Sequence, residues 1–303
     1  MVELVGVGHC CQDFLCIVED YPPEDGSTRI TSIEKQGGGA VATAVVAAAR
    51  LGIRTALIGN LGTDGTGDDI IAELTRERVD VSAMDRLEGV VSLSSYIMIQ
   101  TERGTRTKFP MRDNLPPIRW DDRQRAMLKQ AKVLHLDGTH YANARKAAEL
   151  AREYGVTVSL DGCTRQKDNR LNRELASMAD ILITNAVYPT SVTGKASMEE
   201  ALLEMGGWGP RIVMATVGDQ GVYAVMDGEV RQYPACPANV VDTTGAGDVF
   251  HGAFLAAYLR GKQVEDCIRF AAYAAARKCE QVGGRRGIPD WDTVESGYLS
   301  GRI

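Results

Sequence analysis

Asp121 to Ala131 has a helical period and runs directly into the apolar stretch Val133-Leu134-His135-Leu136. The same unit then repeats three times. Asn143 to Tyr154 precedes Val156 to Leu160, Asn169 to Met178 precedes Ile181-Leu182-Ile183, and Met198 to Met205 precedes Ile212 to Val217. A short apolar run without alternation is what a strand buried on both faces requires, and a helix between two such strands is the crossover that parallel pairing needs. This stretch therefore predicts an α/β fold, a doubly wound and mostly parallel sheet with helices on both faces.

Upstream, Glu3 to Gly8 is a further buried strand, and Gly37-Gly38-Gly39 opens an Ala/Val-rich helix that closes at Leu51-Gly52. Ile53 to Gly59 reads as a strand and Thr66 to Val79 as an amphipathic helix with Ile70, Ile71 and Leu74 inward. The rhythm breaks twice, at about 12–36 and 90–112. There, weakly alternating polar stretches and turn residues predict short exposed strands, including a hairpin around Glu102-Arg103-Gly104. With no low-complexity linker and no repeat, residues 1–303 read as one domain carrying a small β-sheet lid.

The composition excludes several classes. Thirty-four basic against 40 acidic residues give a net charge of −6, the wrong sign for a phosphate-backbone binder. Only 6% of residues are aromatic, too few for a stacking platform on single-stranded nucleic acid. No apolar run approaches the ~20 residues of a membrane span, and Met1-Val2-Glu3-Leu4 lacks the basic start of a signal peptide. The seven cysteines have no paired metal-type spacing and read as reduced packing thiols, which points to the cytoplasm. His9, His135, His140 and His251 also lack ligand spacing.

In such sheets ligands sit beyond the carboxyl ends of the strands, so glycine turns after strands carry the chemistry. Gly6-Val7-Gly8-His9-Cys10-Cys11 has cysteine where a dinucleotide fingerprint needs its third glycine, and no helical pattern follows; it reads as a tight strand end. Gly37-Gly38-Gly39 at a helix start allows backbone amides to approach an oxygen-rich ligand, while the alanines behind them serve close packing. The most informative run is Val240-Val241-Asp242-Thr243-Thr244-Gly245-Ala246-Gly247-Asp248-Val249-Phe250. Amides of Gly245, Ala246 and Gly247 at a helix start make an anion hole for charge developing on a transferred group. A nest of that kind repels a second anion, so Asp248 beside it is suited to taking up a proton as a general base. The plainer reading of Asp248 is a helix cap.

Asp242-Thr243-Thr244-Gly245-Ala246-Gly247-Asp248 resembles the C-terminal signature of the PfkB (ribokinase-like) carbohydrate kinases, and Gly38-Gly39 through Leu51-Gly52 resembles their N-terminal signature. Asp13, Ile58 to Asp64, Asn185, Thr216-Val217-Gly218, Gly221 and Gly283 to Pro289 are similar to further landmarks of that family, so the likeness spans the chain. Its C-terminal motifs look most like the sulfofructose kinase branch. The resemblance implies transfer of the γ-phosphoryl of ATP to a hydroxyl of a hexose, ketose or related polyol, with Mg2+ and K+. It implies Asp248 as base, Gly245, Ala246 and Gly247 as anion hole, and Asp13, Gly38, Gly39 and Thr43 at the sugar. Asn185, Thr216, Gly218, Gly221, Ala272 and Gly284 are implied at the nucleotide, and Asp242 with Thr244 at a monovalent cation.

The chain departs from the pattern in three places. The acidic residue of the family's Asn-x-x-Glu motif is Tyr188, Thr43 stands where many members have Asn, and Ala272 replaces another frequent Asn. Two rival functions follow from the same residues, a nucleoside kinase and a sugar sensor without catalysis. On the expected lid, Arg103, Arg106, Lys108 and Arg112 are either a solvated strand edge or a grip on an anionic substrate. Tyr96 and Met98 alternate with Ile97 and Ile99, so one side covers the sugar and the other is available to the lid of a second copy in a homodimer.

Overall fold

The computed structural model describes residues 1–100, 105–111, 114–163 and 166–299. The expected turn Glu102-Arg103-Gly104 and the side chains of Arg103 and Arg112 lie outside them. Among the described residues, seven strands form the parallel body of a nine-stranded sheet. From the centre outward one way run Leu4–Val7, Thr55–Leu57 and Val79–Asp80; the other way run Val133–Asp137, Thr157–Gly162, Ile181–Asn185 and Ile212–Thr216. The order reverses between Leu4–Val7 and Val133–Asp137, which is the crevice where sheets of this class take ligands.

Two antiparallel strands, Val222–Met226 and Glu229–Tyr233, extend the sheet beyond Ile212–Thr216. Helices Ala40–Arg50, Ala246–Leu259 and Val264–Lys278 cover one face, and Tyr141–Tyr154, Asn169–Met178 and Met198–Gly206 the other. Small residues set the spacing on the first face. A Cβ at Gly252 would lie 2.2 Å from the carbonyl oxygen of Ala44, so the glycine lets two helices touch backbone to backbone. Helix starts are fixed locally, as at Asp121, whose side chain accepts the Gln124 amide while Gln124 returns a bond to the Asp121 N–H.

The two irregular segments meet in a separate four-stranded sheet, ordered Ile30–Gly38, Cys11–Val18, Ser94–Gln100, Thr105–Pro110. Cys11–Val18 at its middle is a strand that the sequence pattern hid: Cys11, Gln12, Leu15 and Cys16 are buried in adjacent pairs, so period-two alternation is lost. Register places Asp13 and Leu15 on the same side as Ile97, Lys108 and Arg106. Phe14, Tyr96 and Phe109 occupy the opposite side, with Phe14 and Tyr96 stacked at 4.9 Å.

Candidate active site

The Asp242–Asp248 turn leads into helix Ala246–Leu259, with Gly245 at its N-cap in the left-handed region (φ 75°). Only glycine fits there, because a Cβ would meet the carbonyl oxygen of Gly284 at 2.8 Å. The amides of Gly245 and Gly247 find no acceptor among the described residues, and a Cβ on Gly247 would meet open space. The Ala246 amide differs from expectation, since it donates to Thr243 O at 3.2 Å. Two amides rather than three therefore point outward, and Asp248 stands half-buried in the same helical turn.

Asp242 ties this turn together. Its Oδ1 accepts from the Thr244 amide at 2.8 Å and from the Thr244 hydroxyl at 2.7 Å, and its Oδ2 accepts from the Gly283 amide at 2.8 Å. Burial pushes the Asp242 carboxyl up, but the Gly283 and Thr244 donors and the nearby Lys278 charge outweigh it and hold it below the usual carboxylate value. Lys278, fully buried, donates from Nζ to the Asp242 carbonyl at 2.8 Å. Nothing in the sequence pattern singled it out, because a lysine in the last turn of a helix is commonplace.

At the acceptor end, Asp13 is packed against Gly38: a Cβ there would lie 2.2 Å from Asp13 Oδ2. Gly39 (φ 90°) passes equally close to the His9 carbonyl. Burial raises the Asp13 carboxyl above its ordinary value, against the Cys11 thiol, which donates to Oδ1 at 3.4 Å, and the Lys108 and Arg285 charges. Thr43 is 2% exposed and its hydroxyl accepts from Arg285 Nε at 3.3 Å, so it faces that arginine and not an open surface. Arg285, itself 3% exposed, also donates to Gly38 O at 2.9 Å and to Glu73 at 3.0 Å. The sequence presents it only as one of two adjacent arginines; its burial makes it the connector. The Gly283–Arg285 loop joins the lid strand to the Gly245 turn, because Gly284 abuts Gly245 and its amide donates to Gln36 Oε1 at 3.2 Å.

Beyond the anion hole opens a cleft of about 610 Å³. Thr216, Gly218, Gly221 and Ala272 line it together with Ala246 and Gly247. Val240, Pro237, Ala275 and Cys279 give it an apolar wall of the kind a flat ring occupies. Asn185 and Gly284 stand outside this lining. Asn185 instead accepts the amides of Val187 and Tyr188 at 3.0 and 2.9 Å. Tyr188 turns inward: it is 1% exposed, its hydroxyl donates to Asn172 O at 3.0 Å, and burial raises it well above the ordinary tyrosine value. It therefore cannot present an anion as the family's glutamate does. Among the described residues no group of three or more His, Cys, Asp or Glu is arranged for a metal, none of the seven cysteines is in a disulfide, and no helix is long and apolar enough to cross a membrane.

Residues 1–291 match the pfkB family of carbohydrate kinases. A nucleoside kinase of Methanothermobacter thermautotrophicus is 30% identical over 95% of this chain and 93% of its own length. An ATP-dependent ribose-1-phosphate kinase of Halopiger xanaduensis is 28% identical over the full length of both chains. The structure of Arabidopsis thaliana ribokinase complexed with ribose and ATP superposes with a TM-score of 0.87 at 26% identity, covering 98% of this chain and 99% of that one. The fold is thus ribokinase-like, and the chain belongs to the pfkB family and is an ATP-dependent carbohydrate kinase.

Proposed function

We propose that this enzyme phosphorylates a hydroxyl of a hexose, ketose or related polyol. The observation that carries the reading is the placement of Asp248 and two free amides, Gly245 and Gly247, where the 610 Å³ cleft meets the loop from the acceptor end. Asp13 accepts hydrogen bonds from sugar hydroxyls, with Gly38 and Gly39 close enough to shape the pocket and Arg285, backed by Thr43, holding Gly38 in place. ATP lies in the cleft with its ring on the apolar wall and its phosphates toward Gly218 and Gly247.

Asp248 takes the proton from the acceptor hydroxyl as its oxygen bonds to the γ-phosphorus. The bond from that phosphorus to the bridging oxygen breaks, and ADP leaves. The Gly245 and Gly247 amides stabilise the charge on the transferring group. Magnesium bound with the nucleotide would neutralise charge on its phosphates, and Tyr188 offers no carboxylate to hold it there. Asn185 acts from behind the site by fixing the chain at Tyr188.

A nucleoside acceptor is the second reading, favoured by the similarity to the nucleoside kinase. Beside Gly8 and Asn60, an apolar pocket lined by Leu57, Met84 and Leu93 has about 30 Å³ of room, which a base would have to enlarge. Measuring ADP release over sugars, sugar phosphates, sulfonated sugars and nucleosides tests both. Turnover of a neutral sugar at the highest kcat/KM supports the first; turnover of nucleosides alone overturns it.

A further inference from the structure

Lys278 is not the only cation on the Asp242 turn. From the outer lid strand Thr105–Pro110, Arg106 reaches across and donates from Nη1 to Thr244 Oγ1 at 2.6 Å and to Asp242 Oδ1 at 3.2 Å. On the other side, the Arg285 carbonyl accepts from Arg50 Nη1 at 2.6 Å, and Arg50 is anchored by a two-point pair with Glu77. A potassium ion is held by oxygen lone pairs that replace its hydration shell. Here both carboxylate oxygens and the carbonyl of Asp242, the Thr244 hydroxyl and the Arg285 carbonyl all accept from N–H or O–H donors already, three of which are cationic side chains. The donor set does not fit potassium. An added monovalent cation would also face Lys278 and Arg106 at close range.

We propose that Lys278 and Arg106 are tethered cations that take the place of a free monovalent cation at the anion-hole turn, so that catalysis is independent of potassium. Lys278 is always in place on helix Val264–Lys278; burial pulls its ammonium below the ordinary lysine value, while the Asp242 and Asp248 carboxylates nearby favour the charge. Arg106 is conditional, because it rides on the lid. Its bond to Thr244 exists only while the lid lies over the turn, so the second charge arrives with closure over the acceptor. Both offset the two carboxylates at the turn and leave the Gly245 and Gly247 amides for the phosphoryl group. This rests on the reading of the turn as the anion hole of phosphoryl transfer.

The test compares potassium chloride with tetramethylammonium chloride at equal ionic strength, with Mg2+ present. Wild-type turnover of a reactive acceptor should agree within about twofold, and the ATP-induced rise in Tm within about 1 °C. The melting arm needs no acceptor, so it decides the cation question even if every acceptor fails and the kinase reading falls. Arg106→Ala removes an exposed side chain; it should leave the unliganded Tm unchanged and lower kcat by roughly tenfold to a hundredfold, with Arg106→Lys recovering part of the loss. Lys278→Met should shrink the ATP-induced shift; if that variant does not fold, the Arg106 pair and the cation comparison carry the decision. A several-fold gain of wild-type rate or ATP-induced shift in potassium overturns the proposal, as does an Arg106→Ala enzyme with wild-type kcat.

Discussion

Asp248 and Asp13 are both half-buried carboxylates, and their surroundings separate their roles. Asp248 sits in the turn whose Gly245 and Gly247 amides lack an acceptor among the described residues. Asp248→Asn is nearly isosteric and cannot accept a proton, so kcat should fall by roughly 10²–10⁴ while the ATP-induced Tm shift persists. Near-normal turnover would return Asp248 to the role of a cap. Asp13 is held above its ordinary value chiefly by burial. A carboxyl raised in the folded state favours folding when protonated and costs stability as pH rises through its folded value. As pH rises, ionising the buried Asp13 carboxyl therefore costs the fold stability. Asp13→Asn should raise Tm at pH 7, with the gain fading toward acid pH. The acceptor KM should rise about tenfold or more as charge-assisted bonds are lost, and the KM for ATP should hardly change. A lower Tm with an unchanged acceptor KM would make Asp13 a structural residue of the lid strand.

The loop Gly283–Arg285 shows what connects elements far apart in sequence. Arg285 reaches Gly38 on a lid strand, Thr43 on one helix and Glu73 on another. Arg285→Ala removes the charge partner of Glu73 and a donor to the Gly38 carbonyl, a change that at buried sites costs about 3–5 kcal/mol. Thermal unfolding should show a large drop in Tm, and at a temperature where the variant is folded the acceptor KM should rise more than the KM for ATP. An unchanged acceptor KM would show that Gly38 keeps its place without the arginine. This connection was not legible in the sequence, because nothing local distinguishes Arg285 from Arg286. What was legible is whatever depends on local period or on backbone geometry: the repeated helix and strand units, and the glycines at 38, 39 and 245. Cys11–Val18 escaped because both its faces are covered, which erases alternation, and Lys278 and the reach of Arg106 to Thr244 because their partners are distant in sequence.

Across the whole molecule, the sheet order sets two openings at opposite sides of one helix start. The proposed acceptor end lies at the reversal between Leu4–Val7 and Val133–Asp137, and the proposed nucleotide cleft lies past Ile212–Thr216. Ala272 tests whether these are separate sites that meet only at the Asp242–Asp248 turn. It is half-buried on helix Val264–Lys278, and it lines the cleft without touching the acceptor end. In Ala272→Phe the added ring enters existing space and not a filled core, so the overpacking penalty of about 1–3 kcal/mol should not appear and Tm should stay near wild type. The ring would occupy the place of the base, raising the KM for ATP about tenfold or more, a loss of about 1.4 kcal/mol for each factor of ten. The ATP-induced Tm shift should shrink markedly while an acceptor-induced shift remains. Loss of both shifts would mean that acceptor binding waits for nucleotide, which would make the lid and the cleft one cooperative unit. Retention of both would move the base off the apolar wall.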